Sequence, residues 1–282
     1  VENKLDLHGL QAIAAELRQT VFQTLCKTGG GHIGPSLSII EILTTLYFGG
    51  VLKYDPRNPQ DPRRDRFILS KGHASLALYA ALAKAGFIDA EELDEYCRPG
   101  SRLGGHPNMH EVPGVEASTG ALAHGLSFAV GAALAAKLDG TDNRVIALLG
   151  DGECQEGAIW EAAMFSAHQR LGQLTAIVDN NKLQAMDRLD NIIAMDPFAD
   201  KWRAFGWEVL EVDGHDIPAL LDALDRAKID KDGAPKLIVA HTVKGKGISF
   251  MEGVPLWHVR MPNEEERTIA AQELALDRKG AL

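Results

Sequence analysis

Cysteine is scarce and scattered. Cys26, Cys97 and Cys154 are the only three in 282 residues, an odd number at wide spacing that excludes a disulfide framework and a paired-cysteine zinc motif. Long apolar runs are missing too: Gly, His, Lys or Asp interrupts the most apolar segments well short of the about 18 residues needed to cross a bilayer. Basic charge is in deficit, with 29 Lys plus Arg against 39 Asp plus Glu and a formal charge of −10, so nucleic acid and other polyanions are poor partners. The opening residues, Val1-Glu2-Asn3-Lys4-Leu5-Asp6, show neither the basic start nor the apolar centre of a signal peptide. Together these absences predict a soluble cytoplasmic protein with no membrane or nucleic-acid partner.

What is present suits a buried core. A hydrophobic content of 45% beside 24% charged residues is ample for one large domain or two small ones. No internal repeat or low-complexity linker divides the chain, which favours one domain over residues 1–282 with a C-terminal tail from about residue 262. Apolar residues at Leu10, Ile13, Ala14, Leu17, Val21 and Leu25 have the spacing of an amphipathic helix, ended by Gly29-Gly30-Gly31. A second helix is expected over Leu37–Tyr47 with Ser36 as its cap, so that a glycine hinge between helices carries His32. Further helices are expected over Ala74–Ala85, Thr119–Leu138 and Ala158–Leu171, and Asn263 is placed to cap an acidic first turn in the tail. Pro99 to Glu116 has no regular period and reads as a long functional or interface loop.

Five short apolar runs carry the strand pattern: Phe67–Ser70, Val145–Leu149, Leu174–Val178, Glu208–Val212 and Lys236–Ala240. Separated by helix-length segments, they predict an α/β fold with a parallel sheet flanked by helices. Ligands of such sheets bind at the carboxyl ends of the strands, which directs attention to Gly72-His73, Gly150-Asp151-Gly152, Asn180-Asn181 and the stretch after Thr242.

Gly150-Asp151-Gly152 alone is compatible with an ordinary strand-to-helix turn capped by Asp. It gains meaning from Asn180-Asn181 at the end of the next strand, 27 residues (153–179) later. Adjacent strand ends lie about 5 Å apart, so a carboxylate, an amide oxygen and a backbone carbonyl there can share magnesium or calcium with a phosphate ligand. Four histidines, His32, His73, His106 and His258, stand in or beside glycine-rich loops. Imidazoles suit proton movement at hydroxyls and stabilisation of a developing alkoxide, although a single histidine is as readily a hydrogen-bonded structural residue. His8, His110, His168, His215 and His241 are read as structural, and His124 is left open. Lys244-Gly245-Lys246-Gly247 lacks the spacing of a phosphate-binding P-loop and reads as a loop leading to His258.

The spacing resembles the thiamine diphosphate motif, and the run Gly150 to Gly157 resembles its transketolase version. Gly31-His32, Ser70-Lys71-Gly72-His73-Ala74, Gly105-His106-Pro107, Thr119-Gly120-Ala121-Leu122 and His258 extend the resemblance to transketolases in order along the chain. It implies a thiamine diphosphate-binding fold in which Asp151, Asn181 and the Leu183 carbonyl are metal ligands. Gly152, His73 and His258 would lie around the diphosphate, with Gly150 and Glu153 of the same run also cofactor-binding. Gly120 and Leu122 would contact the cofactor near its amino group and thiazolium. His32 and His106, with His73 and His258, would line the donor-sugar channel as the catalytic group. Glu156 and Glu161 either favour the following helix N-terminus or meet the partner subunit.

Transketolases carry pyrimidine-binding and C-terminal domains that this sequence does not match, and the carboxylate that activates the pyrimidine ring lies there. The resemblance therefore implies the N-terminal subunit of a split transketolase, active only with a separate C-terminal subunit, in a heterotetramer acting on a ketose or ketose phosphate and an aldose. The alternatives are the α subunit of a 2-oxoacid or acetoin dehydrogenase, deoxyxylulose-phosphate synthase, and a non-catalytic cofactor-binding relative.

Overall fold

The computed structural model describes residues 5–276 except 229 and 231. The first four residues, part of the signal-peptide reading, and the last six of the tail lie outside that range. Ten helices and five strands are described: α1 (Leu7–Thr28), α2 (Ile33–Leu37), α3 (Ile40–Phe48), β1 (Arg66–Leu69), α4 (Ser75–Lys84), α5 (His124–Leu138), β2 (Val145–Gly150), α6 (Gly157–His168), β3 (Leu174–Asn180), α7 (Leu189–Ile192), α8 (Phe198–Ala204), β4 (Glu208–Asp213), α9 (Ile217–Arg226), β5 (Lys236–His241) and α10 (Glu264–Glu273). No described helix is long and apolar enough to cross a membrane.

The strands form one parallel sheet in the order β1-β2-β3-β5-β4. β2, β3 and β5 are continuous apolar runs because both their faces are covered. Alternate residues serve opposite cores: Ile146, Leu148, Ile177 and Ile238 pack with α1, α3, α4 and α9, while Val145, Ala147, Leu149 and Val178 pack with α5, α6 and α8. Each such side chain contributes about 1.5–3 kcal/mol by leaving water, enough to fix the register. Register then sets function: Gly150 pairs with Asp179 and Asn180 with His241, bringing the polar strand ends into one line.

Three local expectations are corrected. β4 is not buried but is an edge strand with alternating exposure. The helix expected over Leu37–Tyr47 is two helices, broken at Ser38-Ile39, where the backbone of Ile39 leaves helical geometry at φ −110° and ψ 10° and the Ser38 hydroxyl donates to Asp179 Oδ2 at 2.6 Å. Ser36 is therefore not a cap; it lies inside α2 and its hydroxyl donates to the His32 carbonyl. At the tail, Asn263 caps α10 in a reciprocal box with Glu266, and Ala270 and Leu274 join the core of α1.

Candidate active site

The turn after β2 descends straight into a short 3₁₀ turn, Gly152–Gln155. Asp151, 2% exposed, accepts from the backbone N–H of Gly152 at 2.8 Å through Oδ1 and from that of Lys182 at 2.5 Å through Oδ2. The second contact ties the β2 turn to the β3 turn. There Asn181 uses its Oδ1 to accept from Leu183 N–H at 3.0 Å and its Nδ2 to donate to Asp179 at 3.0 Å. Gly152 must be glycine: a Cβ would come within 2.8 Å of Gln184 Cγ. The two turns wall one side of a cavity of about 320 Å³, which is also lined by Lys71, His73, His106, Gly120, Leu122, Glu153, Glu156, Lys244 and His258.

Charge is unusually buried around this wall. Asp179 is fully enclosed and accepts from Lys71 Nζ, Ser38, Asn181 and Thr242. Burial opposes its ionisation, yet the Lys71 ammonium and these donors hold its carboxyl below the usual range. Asp151 goes the other way: burial, then the negative charge of Asp179, push it up to about 6 against the pull of its two N–H donors. A cation beside Asp151 would relieve that penalty. Among the described residues no three His, Cys, Asp or Glu form a metal cage, so an ion here would take one carboxylate with amide and carbonyl oxygens, the donor set of a metal brought in with a phosphate.

Glu153 is buried on the same wall, and its carboxylate is spent on the protein: it accepts from the Ser70 hydroxyl at 2.5 Å, Ala123 N–H at 2.7 Å and Gly150 N–H at 3.0 Å. It thereby fixes Ala123, whose φ of 73° is unfavourable for a side-chain-bearing residue, and with it the neighbouring Leu122. Its geometry suits holding the Leu122–Ala123 turn.

The opposite wall is imidazole. The His32 ring lies 5.5 Å from that of His73, 5.8 Å from His106 and 5.3 Å from His258, and His73 lies 5.2 Å from His258. Four loops distant in sequence thus converge on the four histidines singled out by their glycine-rich settings. Burial, reinforced by neighbouring cationic groups, lowers His32 to about 4 and His258 to about 3, and puts His73 well below its ordinary value, so the three are neutral near pH 7. His32 Nδ1 is buried with no hydrogen-bond partner. Gly120, at φ 143°, lets the His106 ring approach, since a Cβ there would sit 3.0 Å from it.

Three residues without an assigned role in the sequence belong to this site: Lys71, Asp179 and Lys244. Lys244, 1% exposed, donates to the Gln184 carbonyl at 2.8 Å and contacts His258 Nδ1 at 2.9 Å; burial, then Lys71, lower it to about 8. Lysines directly after buried strands were the available signal, because a buried ammonium demands a fixed partner. Glu156 stands exposed on the cavity rim and Glu161 is exposed farther along α6. His124 lies at the start of α5 with Nδ1 3.0 Å from the Leu122 carbonyl. His8, His110, His168 and His241 are exposed and outside the cavity lining.

Residues 10–279 match the family described as "Transketolase, thiamine diphosphate binding domain". The chain is 44% identical over 280 residues to the 6-deoxy-6-sulfo-D-fructose transketolase subunit SqwG of Clostridium sp. (strain MSTE9), covering 99% of each chain. It is 46% identical to an apulose-4-phosphate transketolase subunit of Actinobacillus succinogenes, covering 91% of this chain and 92% of that one. Human transketolase is 38% identical over 91% of this chain but only 41% of its own length. Among solved structures, the transketolase of Campylobacter jejuni superposes with a TM-score of 0.90 at 32% identity, covering 97% of this chain and 44% of that one. The chain thus spans about two fifths of the longer transketolases and nearly all of the two subunits.

Proposed function

Because the chain belongs to the transketolase family, as its N-terminal thiamine diphosphate binding unit, we propose that its 282 residues act as one domain with a tail from about residue 262, pairing with a C-terminal subunit to transfer a two-carbon ketol unit from a ketose or ketose phosphate to an aldose. One observation carries the reading: the oxygen set of Asp151, Asn181 and Leu183 shares a single cavity at the carboxyl edge of the sheet with His73, His106 and His258, and the His32 ring packs against all three.

The residues present fit thiamine diphosphate and a magnesium or calcium ion. The cavity of about 320 Å³ opens directly on Gly150, Gly152, Asn181 and Leu183, and Asp151 carries a buried charge in want of a cation. Asp151, Asn181 Oδ1 and the Leu183 carbonyl would hold the ion; Gly150, Gly152, His73 and His258 would surround the diphosphate; Gly120 and Leu122 would face the rings, with Glu153 holding their loop. Thiamine diphosphate supplies the carbon nucleophile and electron sink that cleavage beside a ketose carbonyl needs. The chain's own part is to orient the donor and move protons at its hydroxyls, for which His32, His106, His73 and His258 are placed. His106, which lines the cavity and packs against the His32 ring, is the strongest candidate to accept a hydroxyl proton.

The pyrimidine-activating carboxylate is assigned to the partner. Exposed Leu122, Phe128, Met164 and Phe165 on and beside α5 and α6, flanked by Glu156 and Glu161, form the surface proposed to receive it, in an assembly of two chains of each kind in the cytoplasm. The relatives named above act as sulfofructose and apulose-4-phosphate transketolase subunits, which supports a sugar donor and gives no support to a 2-oxoacid or acetoin dehydrogenase. The test is ketol transfer from a panel of ketose phosphates and sulfo-sugars by the chain mixed with a candidate C-terminal subunit, magnesium and thiamine diphosphate. Turnover is expected only in the mixture; full turnover by this chain alone would overturn the split arrangement.

A further inference from the structure

A second polar cluster lines a separate pocket beside α1 and α3. Glu41 on α3 is 8% exposed and binds two cations or donors at once. Arg18 Nη2 of α1 donates to its Oε1 at 2.5 Å, and His215, just past β4, contacts its Oε2 through Nδ1 at 2.9 Å. Burial disfavours the charge of Glu41, yet His215 and Arg18 together hold its carboxyl below the usual range. The tautomer of His215 follows from its other nitrogen: Val243 N–H donates to Nε2 at 2.8 Å, so Nε2 is bare and Nδ1 carries the proton that goes to Glu41.

Both arms of Glu41 end on the loop that carries Lys244. His215 takes the N–H of Val243, immediately before it, and Arg18 Nε donates to the carbonyl of Lys246, two residues after it, at 3.0 Å. Between these holds the loop turns tightly, with Gly245 and Gly247 at φ 82° and 94°. Gly247 is needed there because a Cβ would strike the Arg18 side chain. Lys244 projects from the loop into the cavity to Gln184 and His258.

Resting on the proposed function of the cavity, we infer that Glu41, His215 and Arg18 form a remote clamp that positions Lys244 at the cofactor site. His215 is a positioning residue in this scheme, reaching the cavity only through the backbone of Val243 and Lys244. The imidazole acts through two separate atoms, which allows the roles to be split by substitution. In His215→Asn an amide N–H replaces Nδ1–H towards Glu41 while the acceptor for Val243 is lost. In His215→Gln an amide oxygen reaches the Nε2 position and keeps that acceptor.

The test labels the full chain with limiting acetic anhydride and follows Lys244 by peptide mass spectrometry, with Lys71 of the same cavity as reference and a thermal melt for each variant. His215→Asn is expected to acylate at Lys244 about five- to tenfold faster through local opening, with Lys71 unchanged, and His215→Gln, which keeps the Val243 acceptor but loses the bond to Glu41, to restore the rate part of the way to wild type. Arg18→Gln, which releases the other arm, should also speed Lys244 and carries the test alone should His215→Asn not fold. An unchanged Lys244 rate in the Asn and Arg18 variants, an equal rise at Lys71, or no restoration by Gln would overturn the clamp. Thiamine diphosphate binding, titrated separately with the C-terminal subunit present, judges the reading of the cavity: a wild-type mixture that fails to bind it removes that reading and leaves the labelling result standing on its own.

Discussion

At the end of the cavity built by the β2 and β3 turns, acids are buried and held by N–H groups, Asp151 by Gly152 and Lys182 and Glu153 by Gly150 and Ala123. At the other end, bases are buried and held mostly by one another, with His32 Nδ1 lacking any partner. On the proposed function, the difference divides gripping the cation from moving protons, with His73 and His258 also serving the diphosphate. A site that grips a diphosphate and its cation profits from fixed donors and a fixed charge, whereas a site that moves protons needs groups that stay neutral and uncommitted at neutral pH. One sheet edge supplies both because strand register fixes the first set, and loops from α1, β1, the 99–123 segment and β5 deliver the second.

If that division is right, damage at the two ends should differ in kind. The largest effect is expected from His106→Ala, which removes the imidazole that lines the cavity beside Gly120: turnover with the partner should fall about 10²–10⁴-fold, with thiamine diphosphate affinity near wild type by calorimetric titration. Equal loss of affinity would merge the two ends into one.

Lys71→Met strikes the join between them. Its side chain is 2% exposed and that of Asp179 0%, and removing one member of a buried pair costs about 3–5 kcal/mol. Urea unfolding should show that loss in full. A loss below about 1 kcal/mol, the range of a surface pair, would mean that Ser38, Thr242 and Asn181 suffice for Asp179.

Asp151→Asn sharpens the binding end. The amide keeps the shape but has a single acceptor oxygen, so it serves only one of the Lys182 and Gly152 N–H groups, and the anionic oxygen for the cation is gone. Thiamine diphosphate affinity measured with magnesium should weaken about 100-fold, or about 2.7 kcal/mol, while the fold remains. Undiminished affinity would refute the metal role.

The contrast was partly legible before folding. Strands covered on both faces must be apolar throughout, so β2, β3 and β5 announce themselves, and the polar break after each marks where a ligand can reach. Gly150-Asp151-Gly152 and Asn180-Asn181 could be joined because the register of neighbouring parallel strands is local. Glu41, in an apolar helix pattern, gives no sign of its partner His215, 174 residues away, and Lys71 none of Asp179, 108 residues on. β4 looked like the other strands because edge position depends on the strand order, and His215, read as structural, is structural only in the sense that it anchors a loop. What stayed hidden was long-range pairing of polar side chains, which no periodicity records.

The smallest effect tests the contrast through protons alone. In the unfolded chain a histidine takes up a proton near 6.5, but in the folded chain His258 does so only at about 3 and His32 at about 4. Between those values the unfolded state binds more protons, so stability falls as pH drops from about 6.5 toward 4. Asp151 has the opposite sign: raised to about 6 from an ordinary 3.8, it keeps a proton in the folded state that the unfolded state has released, and its contribution is lost as pH rises through 6. Urea melts of the metal-free chain from pH 4.5 to 6.5 should therefore rise in stability with pH less steeply in His258→Asn, by up to about one proton, and more steeply in Asp151→Asn. Parallel lines for all three proteins would mean that neither end carries the buried, shifted group on which the contrast rests.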